Sequence, residues 1–132
     1  MGLKGEFLLD ISGDNLEFLL IEEKLGMKAD KIVKKGDIIA LDQPAPASAW
    51  KRIKRVEEGR PFETEFKSFL QELSAKKNAL QELSSTNEVK IKCYIRSEFG
   101  QFGYEMSKEI IGLLNEIGLS VEFHILSFGF AE

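Results

Sequence analysis

The sequence predicts an α+β fold, a two-layer sandwich in which a mainly antiparallel sheet of four or five strands is covered by about three helices. Several segments alternate apolar and polar residues with the period of two that strands show, most clearly over 89–96. The segments between them carry apolar residues at helical spacing and are long enough to cover one sheet face. With 132 residues the chain fits one domain, which we assign to residues 1–132.

The first strand and the first helix are predicted in the first 26 residues. Residues 7–11 show the period-2 alternation of a strand. Asp14 and Glu17 have the spacing of a capping box, so we expect the following helix to run near 16–25. Gly26 supplies the left-handed position that ends it. One side of this helix then carries Leu16, Leu19 and Leu20, with Glu23 beside them.

The next segment carries weaker signals. Residues 35–37, Lys-Gly-Asp, predict a turn, and the apolar run 38–41 predicts a short strand. The Pro-Ala sequence of 44–47 indicates an extended loop, and long loops in small domains are often functional. Residues 49–56, which include Trp50, predict another strand.

A long helix is predicted from residue 62 to about 84, after Pro61, which helix starts tolerate. The pentapeptide LQELS occurs at 70–74 and again at 80–84, and ten residues are close to three helical turns. Both copies should therefore place their leucines on a similar side. The apolar residues at helical spacing are Phe62, Phe66, Phe69, Leu70, Leu73, Leu80 and Leu83.

The last third of the chain predicts two strands with a helix between them. Residues 89–95 form the clearest alternating strand, and 97–103 form a Gly-rich turn. Ser107 is placed to cap a helix that ends at Gly118. The alternation of 121–126 predicts the final strand.

Composition and charge exclude several classes of protein. The chain has 18 basic and 22 acidic side chains, a net charge of −4, whereas nucleic-acid binders usually have a basic excess. No run approaches the roughly 20 apolar residues that span a bilayer, and the N-terminus lacks a secretory signal. One cysteine fits a reducing compartment. We therefore expect a cytoplasmic protein that binds neither nucleic acid nor membrane.

The residues that could carry chemistry do not form a catalytic set. His124 is the only histidine and Cys93 the only cysteine, so a multi-histidine zinc site is excluded. Strand alternation sends Cys93 toward the core and His124 to the opposite face, which separates a Cys-His pair. No pair of carboxylates is spaced around a substrate. We predict no catalytic residue, no metal site and no cofactor.

Two basic segments remain to be interpreted. Lys90, Lys92, Tyr94 and Arg96 lie along one face of a predicted strand, with His124 beside them. A solvated sheet face explains this pattern best, ahead of a protein-binding surface and then of a nucleic-acid platform. Residues 51–55 carry four basic side chains and predict a charged, edge-type strand. The GxxG spacing of 100–103 indicates a turn and not an RNA clamp, because no basic residue lies between the glycines.

The order of these features resembles a bacterial family known as domain of unknown function 4279. The elements that carry the resemblance span nearly the whole chain: Gly13-Asp14, Leu25-Gly26, Lys35-Gly36-Asp37, Trp50, the long leucine-rich helix, the strand Val89–Ser97, Gly103-Tyr104-Glu105-Met106-Ser107, Ile117-Gly118 and the alternating C-terminal strand. The segment 38–49 and the end of the final strand depart from the family pattern.

The resemblance implies a small α+β domain with no established activity, and some domains of this kind resemble immunity proteins of bacterial toxin systems. We therefore predict a non-enzymatic binding or protein-interaction domain, with an immunity-type role as one form of it. The alternative is a small-molecule-binding domain, or an enzyme, with a pocket near Trp50. The partner is expected to be another protein or a second copy of the chain. The candidate binding residues are Lys35, Asp37, Trp50, Tyr94 and Tyr104.

Overall fold

The computed structural model describes residues 4–57, 59–97 and 104–127 of the chain. These residues form five strands and four helices. In chain order the elements are β1 (Lys4–Gly13), α1 (Phe18–Leu25), β2 (Lys31–Val33), β3 (Ser48–Val56), α2 (Phe62–Ser74), α3 (Lys77–Ser84), β4 (Glu88–Ser97), α4 (Lys108–Ile117) and β5 (Ser120–Ser127).

The five strands form one sheet in the order β2-β3-β1-β4-β5. β1 is antiparallel to both of its neighbours, and β2 is antiparallel to β3. β5 is parallel to β4, because α4 carries the chain back along the sheet between them, as a parallel connection requires. The predicted α+β fold is confirmed as a mixed sheet whose pairings are mostly antiparallel, with four helices where about three were predicted.

The core lies between the helices and one face of the sheet. Phe7 and Leu9 of β1 are fully buried there, and the Phe7 ring stacks on Phe66 of α2 with centroids 4.5 Å apart. Cys93 of β4 points into the same core, as its alternation predicts. Full burial of one large apolar side chain stabilises the folded state by about 1.5–3 kcal/mol. The buried side chains of this layer therefore hold the helices against the sheet.

The long helix predicted through residue 84 is two helices. α2 ends at Ser74, α3 begins at Lys77, and Lys76 has a non-helical backbone with φ −113° and ψ 17°. No Gly or Pro marks the break, so the sequence pattern continues in phase across it, and tertiary packing decides where each helix ends. The prediction that both LQELS copies place their leucines on a similar side is confirmed, because all four leucines are buried in the core: Leu70, Leu73, Leu80 and Leu83.

The start of α1 differs from the prediction. Glu17 occupies the N-cap position, and no side chain caps the helix there, so the capping box of Asp14 and Glu17 is wrong. The end agrees: Gly26 has φ 65° and its N–H donates to the carbonyl of Glu22 at 2.8 Å.

The buried side of α1 does not carry Leu19 or Leu20. Ile21 and Leu25 are buried, whereas Leu19 is 82% exposed and Leu20 is 42% exposed. The sequence Phe-Leu-Leu-Ile places apolar residues on several sides of this short helix, so periodicity alone does not select the side that packs. The side that carries Leu19 and Leu20 therefore faces solvent, and the side that carries Ile21 and Leu25 packs on the core.

Residues 38–41 do not form the predicted strand. Ile38 makes one isolated bridge to Pro44, and a single 3-10 turn covers Ala40–Asp42. The edge strand of this region is β2, which pairs with β3. The sequence pattern does not predict this strand. Its three residues are too few to show a period.

The remaining elements agree with the predictions. The hydroxyl of Ser107 accepts the N–H of Ile110 at 3.3 Å, and Gly118 ends α4 with φ 72°. The glycine-rich turn predicted over 97–103, including the GxxG spacing, lies outside the described residues from 98 onward, as does the chain after 127. In the part of the chain that is described, no helix has the length and apolarity to cross a bilayer.

Candidate functional site

The sheet face opposite the helices carries most of the polar side chains of the strands. Alternation places even-numbered residues of β1, β4 and β5 and odd-numbered residues of β3 on this open face. It is more basic than the chain as a whole, which has net charge −4. The basic side chains on it are Lys4, Lys31, Lys51, Arg55, Lys90, Lys92 and Arg96, against the acidic Glu6, Asp10, Glu88 and Glu122.

The centre of the open face is neutralised from within the chain. Asp10 is buried, and its carboxylate lies 3.0 Å from the ammonium of Lys92. Burial alone would lower the pKa of Lys92, but the hydrogen bond and the charge of Asp10 outweigh it and raise that pKa. Arg55 and Glu6 pair at 3.2 Å in the adjacent row. These groups hold one another and leave little charge for a ligand.

The β4–β5 end of the open face carries a pair of stacked rings. Tyr94 and His124 are register neighbours, with ring centroids 4.6 Å apart and planes 9° from parallel. His124 Nε2 lies 2.5 Å from a carboxylate oxygen of Glu122, and this hydrogen bond is the main cause that lowers the pKa of Glu122. A shallow groove of about 640 Å³ lies beside the rings and is also lined by Arg55 and Leu126.

The β2 edge, defined here as Lys31–Val33 with the adjoining Lys34, has a different charge arrangement. Lys31 lies directly opposite Lys51 of β3. Like charges in directly opposed positions destabilise a strand pair. In the described chain, no carboxylate forms an ion pair with Lys31, Lys34 or Lys51, although ten other Lys and Arg side chains are paired. The β2 edge therefore keeps positive charge that is available to an external anion.

A hydrogen-bonded loop continues from this edge, and we call residues 37–45 the tip hairpin. The N–H of Ala45 donates to Asp37 at 2.7 Å, and the N–H of Ile39 donates to Gln43 at 2.8 Å. A carboxylate oxygen of Asp37 accepts the N–H of Lys34 at 2.8 Å and closes the turn. Buried Ala45 fixes the base of the hairpin. The tip hairpin is thus held in one backbone conformation by its own bonds.

The end of the tip hairpin combines strain with apolar exposure. Leu41 and Asp42 have φ values of 59° and 57°, the left-handed region that a leucine occupies only at a cost of about 1–2 kcal/mol. Leu41 is 91% exposed and Ile38 is 67% exposed. The Leu41 side chain faces solvent, so it contributes no packing that would offset the strain of its backbone. Such outliers cluster at binding sites.

Comparison with known proteins identifies the family. Residues 4–128 match the family described as Domain of unknown function (DUF4279). The chain belongs to this family. The resemblance found in the sequence is thereby confirmed over nearly the whole chain. No curated protein and no solved structure matches the chain significantly.

The five candidate binding residues do not meet in one place in this DUF4279 member. Lys35 and Asp37 flank the turn at the base of the tip hairpin, where Lys35 N–H donates to the Ser48 hydroxyl at 2.9 Å. Tyr94 lies on the open face, whereas Tyr104 packs its ring edge-on against Phe62 on the helix side. Trp50 is fully buried and belongs to the hydrophobic core.

One buried and one partly buried group have raised pKa values. Burial raises the pKa of the Cys93 thiol to about 12, so it is protonated at neutral pH and a poor nucleophile. Burial also raises the pKa of Tyr104 to about 12. In the described residues, no group of three or more His, Cys, Asp and Glu side chains is arranged to hold a metal ion.

The basic segment 51–55 is divided between the two sides of β3. Lys51 and Arg55 lie on the open face, whereas Arg52 and Lys54 pair with Glu72 and Glu65 of α2. β3 is not a full edge strand, because β2 covers it at 49–51.

Sequence reasoning missed the tip hairpin as a site. The apolar run of Ile38, Ile39 and Leu41 between Asp37 and Asp42 was interpreted as a short strand. An apolar run enclosed by turn-forming acidic residues and followed by a proline also fits an exposed binding loop, and that was the available signal.

Proposed function

We propose that this chain is a protein-binding domain and that the tip hairpin is its main contact. The observation that carries the proposal is Leu41, which is 91% exposed on a strained and hydrogen-bonded loop. Binding to a preformed loop loses less conformational entropy than binding to a mobile one. Leu41 and Ile38 serve as apolar anchors for a pocket on the partner.

The charge beside the tip hairpin supports a partner with an acidic rim. Lys31, Lys34 and Lys51 have no ion-pair partner in the described chain, and an acidic surface would relieve the repulsion between Lys31 and Lys51. The apolar anchors favour a protein over a nucleic acid, whose contacts are dominated by phosphate. An immunity-type role is one form of this interaction, and the activity of the captured partner tests it.

The test is differential capture from the lysate of the organism that encodes the chain, followed by affinity measurement with the purified partner. We expect Leu41→Asp to weaken binding by about 10–100-fold, as loss of a central anchor does. Leu19→Asp is the matched control, because Leu19 is 82% exposed on α1. A partner that binds Leu41→Asp as well as the native chain, or that is lost equally from the control, contradicts the proposal.

A charge variant separates the anchors from the lysines. Lys31→Glu with Lys51→Glu should slow association and reduce its salt dependence, while dissociation changes little. If these substitutions leave the association rate unchanged, the partner does not present an acidic rim, and only the apolar part of the proposal stands.

The groove beside Tyr94 and His124 supports a second candidate, the binding of a small aromatic anion. The stacked rings offer a flat surface, and Lys4, whose ammonium forms no ion pair with a described carboxylate, lines the same groove. A thermal-shift screen of aromatic carboxylates and nucleotides tests it. A stabilising compound that loses its effect on His124→Ala but not on Leu41→Asp would favour this candidate.

A further inference from the structure

The outer side of β5 is an edge that no other described strand covers. β5 closes one end of the sheet order, and its eight residues make it longer than the opposite edge strand, which has three. Ile125 is 59% exposed and Leu126 is 49% exposed. The sequence of β5 contains no Lys, Arg or Pro, the residues that usually prevent edge strands from pairing.

When β5 is aligned antiparallel to β5 of a second copy, the opposed side chains are complementary. A two-fold axis normal to the sheet keeps both helical layers on one side, and it must lie midway between the two strands, level with one residue of β5. With the axis at Phe123, Glu122 lies opposite His124 of the second copy, on the open face. Val121 then lies opposite Ile125 on the helix side, and seven residues of each strand are paired.

Other registers lack this complementarity. An axis at His124 also pairs seven residues, but it opposes two imidazoles and sets Glu122 against Leu126. An axis at Glu122 opposes two carboxylates and pairs only five residues, 120–124. Directly opposed like charges destabilise a strand pair, whereas opposite charges and apolar pairs stabilise it. Only the Phe123 register combines the longest overlap with a carboxylate opposite an imidazole that can hydrogen-bond to it.

We propose that the chain forms a two-fold homodimer by antiparallel pairing of β5 with β5 of a second copy, centred on Phe123. The two sheets then join into one ten-stranded sheet with all helices on the same side. The dimer covers Ile125 and satisfies the outward backbone groups of β5. Contacts through a single edge bury little area, so dimerisation depends on concentration.

Sedimentation velocity over about 5–500 µM tests the oligomeric state, a range suited to weak interfaces. We expect the dimer fraction to rise through this range. Ile125→Lys should reduce association at least about tenfold, because a lysine on the edge opposes strand pairing. Leu19→Lys, on an unrelated exposed position, should leave association unchanged. A native chain that stays monomeric throughout, or an Ile125→Lys variant that dimerises normally, overturns the proposal.

A charge exchange tests the register. His124→Glu places a carboxylate opposite Glu122 of the second copy and should weaken the dimer. Adding Glu122→His restores a carboxylate opposite an imidazole and should recover the dimer, with circular dichroism confirming that each variant is folded. Failure of the double variant to recover association contradicts the Phe123 register.

Cysteine pairing gives an independent measurement of the register. Opposed Cα atoms of an antiparallel pair lie about 4.5–5.5 Å apart, within disulfide range. A mixture of Glu122→Cys and His124→Cys chains should form the mixed disulfide, whereas each variant alone should cross-link much less. Preferential self-linking of either variant assigns a different axis and overturns the proposed one. Native Cys93 is buried and does not compete.

Discussion

The two edges of the sheet differ in how they meet solvent. β2 is three residues long, carries Lys31, and leads into the strained tip hairpin. β5 is eight residues long and exposes Ile125 and Leu126 without a lysine, an arginine or a proline. A short lysine-bearing edge offers side chains for recognition, whereas a long edge without these residues offers backbone hydrogen bonds. The two proposals therefore use the two edges differently, the β2 edge for side-chain recognition and β5 for strand pairing.

The largest expected effect is a difference in the free energy of unfolding between variants of the side chains that pack at the two edges. Trp50 lies opposite Ile32 of β2 and is fully buried, whereas Phe123 of β5 is only partly buried. We expect Trp50→Ala to lower the free energy of unfolding by about 3–5 kcal/mol. Phe123→Ala should cost about 1–2 kcal/mol, because less of its surface is removed from water. Urea denaturation at low protein concentration measures both in the monomer.

A conservative variant checks the cause of the Trp50 effect. Trp50 Nε1 has no hydrogen-bond partner in the described structure. Trp50→Phe should therefore lose ring volume without losing a hydrogen bond, and should cost about 1–2 kcal/mol. Equal losses from Trp50→Ala and Phe123→Ala would mean that the two edges are packed alike, against the comparison.

The second, smaller effect is a rise in the free energy of unfolding when the backbone strain at the tip hairpin is removed. Leu41→Gly removes a side chain that is 91% exposed and relieves a left-handed backbone, so little packing is lost. We expect the free energy of unfolding to rise by up to about 1 kcal/mol, with the greater freedom of glycine in the unfolded chain limiting the gain. The same variant should bind the protein partner more weakly.

The control is glycine at a position with ordinary backbone. Leu19→Gly, in helix α1, should lower stability by about 1 kcal/mol because glycine disfavours helix. A loss of stability in Leu41→Gly similar to that in Leu19→Gly would show that Leu41 packs for the fold and is not held for binding.

The features that could be predicted from the sequence are those set by local pattern. The alternation of β4 predicted Cys93 in the core and Tyr94 on the open face, and Gly26 and Gly118 predicted two helix ends. These follow from period and backbone geometry alone. Local pattern is not sufficient where packing decides, as in the buried side of α1 and the break at Lys76.

The candidate sites depend on register, which no local pattern contains. Lys31 opposes Lys51 only once β2 is known to pair with β3, and the Tyr94–His124 stack requires β5 to lie parallel to β4 in one register. The left-handed backbone of Leu41 arises from the hydrogen bonds of the tip hairpin, and leucine gives no sign of it. A sequence pattern can therefore predict which segments are exposed, but it cannot predict which of them lie side by side in the fold.

The smallest expected effect is a pH dependence at the β5 edge. The hydrogen bond from His124 lowers the pKa of Glu122 below 4.5. A carboxyl with a lowered pKa in the folded state stabilises the fold above its ordinary pKa, and this contribution is lost as the pH falls through the lowered value. Urea midpoints at pH 7 and pH 3 should therefore differ less in Glu122→Gln than in the native chain.

Glu65 provides the matched measurement away from the β5 edge. The hydrogen bond from Lys54 of β3 lowers its pKa in the same direction, so Glu65→Gln should also reduce the difference between pH 7 and pH 3. The ionic partner separates the two: His124→Ala should remove the Glu122 contribution and leave that of Glu65 intact. If His124→Ala leaves the acid dependence of the native chain unchanged, Glu122 is not held by His124 in solution. The pair proposed across the dimer, Glu122 with His124 of the second copy, would then lack a carboxylate that is already ordered in the monomer.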